Sequence, residues 1–329
     1  MNRRQRRLAV GVSTLVVSGL VVASFGQPLG WENWAGHMSL SSMKFPFVSQ
    51  EVARAKPEAS SPQDASIDNN LDLESLGAKY LKQAKYKLAQ QCFEKWVVQL
   101  EKNPNAKRLD LARALGNVGW SLQVQGENFK AMPLLERSLV LFEREQGFEK
   151  QKLIFWIANL AIAKQRVAAF DDAEKLLKHA LSISEKSFGR DSAEFASTLN
   201  SMGAYYLDLD KLDKAAAAYK DALTIDERVL GPSSIAVERD LCNLAECYRE
   251  QGKLTKAEPL FKRSLAILDR TRNSEVAEAA FPCSNLGHLY FSQGKFSLAE
   301  GLYQRALHIR IKLLGARSPY VGLTLKNYA

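Results

Sequence analysis

From about residue 70 onward, apolar positions fall into two runs of helical spacing per unit, separated by short polar breaks, and the arrangement recurs every 42 residues. Alanine stands at 89, 131, 173, 215, 257 and 299. Twelve positions before each lies a small residue: Gly77, Gly119, Ala161, Gly203, Ala245 and Gly287. Four positions after each alanine comes a large one: Phe93, Leu135, Leu177, Tyr219, Phe261 and Tyr303. The spacing predicts six pairs of amphipathic helices. Small columns let two antiparallel backbones approach closely, and large columns fill the space around them. Gly126, Gly252 and Gly294 suit the turn inside a pair, and Gly147, Gly189, Gly231 and Gly315 suit the end of each second helix, with Asn273 in the remaining place. Asp171, Asp213, Thr255 and Ser297 stand where the second helices should be capped.

The first two units depart most, with Ala84 at the turn of the first, Trp96 in one of its small columns, and Phe129 at the turn of the second. At the other end, Leu323 to Ala329 starts a seventh first helix, either a polar cap on the last face or a truncated pair.

Leu241-x-x-Leu244-Ala245-x-x-Tyr248, followed by Ala257, Phe261 and Ser264, resembles the tetratricopeptide repeat family. The 42-residue period is similar to that of the kinesin-light-chain subtype, as are the stretches Leu244–Leu254, Ala257–Leu265 and Asp226–Pro232. The resemblance covers residues 70–329 and implies an all-α superhelix of six antiparallel helix pairs plus a short C-terminal helix. The expected repeats run at about 70–103, 112–145, 154–187, 196–229, 238–271 and 280–313, with a partial seventh at 322–329, in a domain spanning 69–329.

The chain before the repeats is of another kind. Residues 1–7 hold four arginines, and 8–26 carry no charge. Nineteen residues of helix span about 30 Å, enough for a hydrocarbon core. The arginines favour the cytoplasmic side, so the repeats are expected outside the cytoplasm on a single-pass hydrophobic helix. Cleavage of the same segment as a signal peptide, giving a secreted or periplasmic protein, is the alternative. Residues 27–68 read as a flexible linker.

Composition narrows the function classes. The net charge is +9; residues 1–70 contribute +2 and the rest +7, dispersed among acidic residues. No basic stripe with interleaved aromatics is present, so nucleic acid is not an expected partner. His37, His179, His288 and His308 lie apart, the four cysteines fit no zinc spacing, and no phosphate loop or nucleophile elbow occurs. We therefore expect no enzyme, cofactor, metal site or small-molecule substrate. Cys242 and Cys283 could be bridged on an oxidising side of the membrane.

The remaining expectation is a protein scaffold. The resemblance places the first helix of each pair on the concave side. One column there reads Ser75, Asn117, Asn159, Ser201, Asn243, Asn285 and Asn327. Asparagine offers donors and acceptors at each rung, and the family resemblance implies contact with an extended peptide. The alternative is that these side chains bridge neighbouring helices. Asn200, Arg239, Arg249, Trp120 and Phe291 complete the expected peptide-binding set, the arginines suiting acidic side chains. The partner's identity is not encoded, and both self-association and a role as accessory factor of an envelope complex fit the same features.

Overall fold

The computed structural model describes residues 72–82, 85–145, 149–270, 279–314, 321–322 and 324–325. The expected hydrophobic helix at 8–26, the linker, Ala84, Gly147, Asn273, Gly315 and Asn327 lie outside the described residues. These contain twelve helices and no strand. They pair as α1 (Leu73–Lys82) with α2 (Tyr86–Lys102), α3 (Arg108–Val124) with α4 (Asn128–Glu143), and α5 (Lys150–Arg166) with α6 (Phe170–Phe188). Next come α7 (Ala193–Asp208) with α8 (Leu212–Leu230), α9 (Ile235–Glu250) with α10 (Leu254–Arg270), and α11 (Ala280–Ser292) with α12 (Phe296–Leu314). Each helix packs on the one before and the one after it in the chain.

The columns act as expected inside each pair. All six alanines from Ala89 to Ala299 are buried. The large residue of each second helix lies over the small residue of the first. A methyl group added to Gly203 would stand 2.6 Å from the Tyr219 ring, so the close approach of α7 and α8 depends on that hydrogen. Burying such residues, at roughly 1.5–3 kcal/mol for each large side chain, is what favours pairing over isolated helices.

The turn inside each pair is one structure used repeatedly. Gly126, Gly252 and Gly294 have φ of 84°, 73° and 72°, and Ala168 and Asp210 adopt 64° and 60° at the same register. The next N–H then reaches back to a carbonyl in the last turn of the first helix, as in Glu127 to Leu122 at 2.9 Å, Ala169 to Lys164 at 2.9 Å and Lys253 to Tyr248 at 2.8 Å. These bonds satisfy carbonyls that a helix end otherwise leaves open.

Capping differs from the expectation. Asp171 and Asp213 fall inside the first turn of α6 and α8, whose preceding residues Ala169 and Lys211 make no side-chain cap bond. Their carboxylates suit the helix dipole there, and Asp213 Oδ1 also accepts from Gln251 Nε2 at 3.0 Å. The side-chain caps belong to first helices instead: Ser192 accepts from the Phe195 N–H at 3.2 Å and Ser234 from the Val237 N–H at 3.3 Å. All four cysteines are free thiols.

Candidate partner-binding face

Successive first helices touch directly, α3 with α5, α5 with α7 and α9 with α11; among the described residues, successive second helices make no comparable contact. The first helices are therefore the closer-packed layer, and their one unshared strip is where a partner could lie. From α3 onward, each first helix packs on the second helix of its own pair and on that of the preceding pair.

The expected site residues separate on this geometry. Asn117 and Asn285 keep partial exposure. Asn159 is nearly covered; its Nδ2 donates to the Phe155 carbonyl at 2.9 Å, and its own carbonyl accepts from Gln123 at 3.2 Å. Asn243 is also nearly covered and donates to Asn200 Oδ1 at 3.2 Å. Asn200 is fully buried and donates to Asp240 Oδ1 at 2.7 Å. Asn200 and Asn243 thus bridge helices α7 and α9, the alternative reading of the ladder, and Asn200 has no surface to offer a partner.

Two other expected residues, Trp120 and Arg239, are buried. Trp120 is 2% exposed and packs edge-on against Tyr86, with centroids 6.2 Å apart. Arg239 is 3% exposed, its guanidinium 3.2 Å from Asp240 Oδ1 and 3.4 Å from Asp226 Oδ2. Column counting placed both on the groove, whereas they turn toward second helices, Trp120 to Tyr86 of α2 and Arg239 to Asp226 of α8. Phe291 is exposed and meets Phe296 edge-on at 5.4 Å. Arg249 is held by Glu246 at 2.6 Å and Glu250 at 2.7 Å, and these carboxylates keep its pKa raised.

Between α5 and α7 the strip deepens into a cleft. Phe155, Ile162, Ala204 and Tyr205 give it apolar walls, and Asn159, Gln165 and Ser201 give it polar edges. Gln165 donates to Asp208 beside it. Burial raises the Tyr205 hydroxyl to about 12, so it stays protonated and donates to the Phe170 carbonyl at 2.9 Å. No group of three or more metal-ligating side chains occurs among the described residues.

Tetratricopeptide repeat models match residues 153–228, 194–270 and 283–320. The chain carries tetratricopeptide repeats. Solved structures with the same fold include BtubC (BKLC) from P. vanneervenii, 23% identical over 70% of this chain and 92% of that one, with a TM-score of 0.57. A candidate kinesin light chain from Podosopora anserina, with nearly identical TPR-like repeats, is 17% identical over 60% and 94%, with a TM-score of 0.51. A Rap protein complexed with Competence and Sporulation Factor is 15% identical over 78% and 72%, with a TM-score of 0.54. No curated protein matches the chain in sequence. The 42-residue period expected from the columns is that of the helix pairs, and the kinesin-light-chain-like structures share their fold.

Sequence reading missed Asp226 and Asp240 as partners of Arg239. The available signal was three consecutive charged residues, Glu238-Arg239-Asp240, between the apolar Val237 and Leu241.

Proposed function

We propose that the repeat array is a non-enzymatic scaffold that holds an extended segment of a partner protein along the first-helix strip. The amide column of the first-helix strip carries this reading, since it offers donors and acceptors to an extended backbone; the cleft between α5 and α7 has room for no more than a methyl-sized group of the segment. Asn117 and Asn285 extend the same chemistry to either side. A Rap protein of this fold, solved in complex with a factor, lends support.

The test is a paired measurement on Asn117→Ala/Asn285→Ala, using a partner first isolated by cross-linking. Thermal melting should change by no more than the loss of the Asn285 hydrogen bond to the Cys242 thiol, and affinity should weaken by about 1–3 kcal/mol, the scale of two lost hydrogen bonds. A lower melting temperature with unchanged affinity of the folded fraction would end the idea.

We further propose that residues 8–26 tether the scaffold to a membrane with the repeats outside the cytoplasm, on the strength of the four arginines before them. No helix among the described residues is long and apolar enough to cross a membrane. Digestion of the repeats by protease supplied on the exoplasmic side of an intact cytoplasmic membrane, with residues 1–7 still present on the mature chain, is the expected result. A mature N-terminus near Phe25 or Gln27 would replace the anchor with a cleaved signal.

A further inference from the structure

Asp226 near the end of α8 and Asp240 in α9 meet across the joint between the fourth and fifth helix pairs, at 1% and 0% exposure. Their polar contacts can be counted atom by atom. Asp240 Oδ1 accepts from Asn200 Nδ2 at 2.7 Å and from Arg239 Nη2 at 3.2 Å and Nε at 3.3 Å. Asp226 Oδ2 accepts from Arg239 Nη2 at 3.4 Å. That leaves Asp226 Oδ1 and Asp240 Oδ2, both buried and with no hydrogen-bond partner. A single nitrogen, Arg239 Nη2, touches one oxygen of each, so the two carboxyl groups adjoin.

Two carboxylates and one guanidinium would leave a net charge of −1 in a site closed to water. Burial of an unbalanced charge is costly, and two carboxylates sharing a site resist joint ionisation. A single proton removes the imbalance and gives this acceptor-rich site a donor. We propose that the joint between the fourth and fifth helix pairs is a proton-binding site, with one proton shared by Asp226 and Asp240, and that this proton helps hold the joint together. The residues are not a metal site, because Arg239 occupies the position between the carboxylates that a cation would need.

The surroundings agree in sign. Burial is the largest cause raising the Asp226 carboxyl, to about 7, followed by the charge of Asp240; Arg239 opposes the rise and Glu194 on α7 adds to it. Burial likewise raises Asp240, opposed by Arg239 and by the Asn200 bond. Among other groups on the packed helices, Tyr219 of α8 stays protonated through burial. Glu238 accepts from Ser264 of α10 at 2.7 Å. Glu227 is taken by Arg263 of α10 at 2.5 Å.

A folded-state pKa above the unfolded value means that the native protein keeps a proton which the unfolded chain releases. The stabilising contribution is full below the unfolded pKa of about 3.9, and is lost as pH rises through about 7. The experiment compares urea midpoints of the full chain and of Asp226→Asn at pH 5.5 and pH 8. Asparagine keeps the shape and a donor toward Asp240 at every pH. The parent midpoint should fall from pH 5.5 to 8 by more than that of the variant. Equal pH dependence in the two proteins would overturn the proposal. Carbon NMR of labelled aspartate in the parent gives a second reading that does not depend on the variant folding. One aspartate should titrate near pH 7, and titration of every aspartate below about pH 5 would overturn the proposal as well.

Discussion

The joint between the second and third helix pairs and the joint between the fourth and fifth are built on the same two registers. In the first, Phe142 stacks on Trp156 with centroids 5.6 Å apart and an interplanar angle of 18°. In the second, those positions hold Asp226 and Asp240. Ser184 and Thr198 occupy the joint between them, Leu268 and Pro282 the next, and Arg310 donates to Thr324 in the last. All ten residues are buried. Inside a pair the small and large columns barely vary, because two backbones must meet at fixed distance. At the joint the repeat requires only that the volume be filled, so chemistry is free to change. An aromatic stack adds about 0.5–1.5 kcal/mol beyond its burial. A buried ionic cluster adds little net stability but leaves a large penalty when one member is lost.

That contrast can be broken directly. Arg239→Met removes the cation hydrogen-bonded to both carboxyl groups and should cost about 3–5 kcal/mol by urea unfolding. The loss should grow from pH 5.5 to pH 8, since without the guanidinium each further ionisation is less compensated. Phe142→Ala in the sister joint should cost a similar ~3–5 kcal/mol through lost burial and a cavity. That loss should be the same at both pH values. Equal pH profiles for the two variants would mean that the fourth joint is an ordinary packing contact that happens to contain acids.

The difference between columns and joints also explains how much was legible in the sequence. Alanine at 257 and glycine at 203 signal a close backbone approach wherever they recur, and a six-fold recurrence leaves the pairing in little doubt. The same logic failed for Arg239 and Trp120. A column says which face of its own helix a residue occupies, not whether another helix covers that face, and first helices here are covered on both sides. Asn200 was misplaced for the same reason: it sits one position before the ladder column, turned toward α9 rather than outward. The Asp226–Asp240 pair was invisible because its members lie in different helices, and only the tertiary register joins them. The helix caps were misplaced because a first-turn acid and a capping acid look alike in sequence. Only the backbone angles and bonds of Ser192 and Ser234 separate the two roles.

The smallest effect tests the repeat at its turn. Ala168 stands at φ 64°, where Gly252 and Gly294 stand at 73° and 72°. A side chain in this left-handed region costs roughly 1–2 kcal/mol because Cβ crowds the following carbonyl. Glycine removes that crowding but gives the unfolded chain more freedom, worth about 0.5–1 kcal/mol in the opposite direction. The balance predicts that Ala168→Gly raises stability by ~0.5–1 kcal/mol. Asp210→Gly should gain less, since aspartate tolerates this conformation better than alanine. Gly252→Ala should lose ~1 kcal/mol, because nothing lies near enough to meet the added methyl and only the backbone strain remains. Urea midpoints for the three variants give the order, with Ala168→Gly above Asp210→Gly above the parent above Gly252→Ala. If Ala168→Gly instead destabilises, the third pair closes by a different turn, and the 42-residue register would not describe its turn.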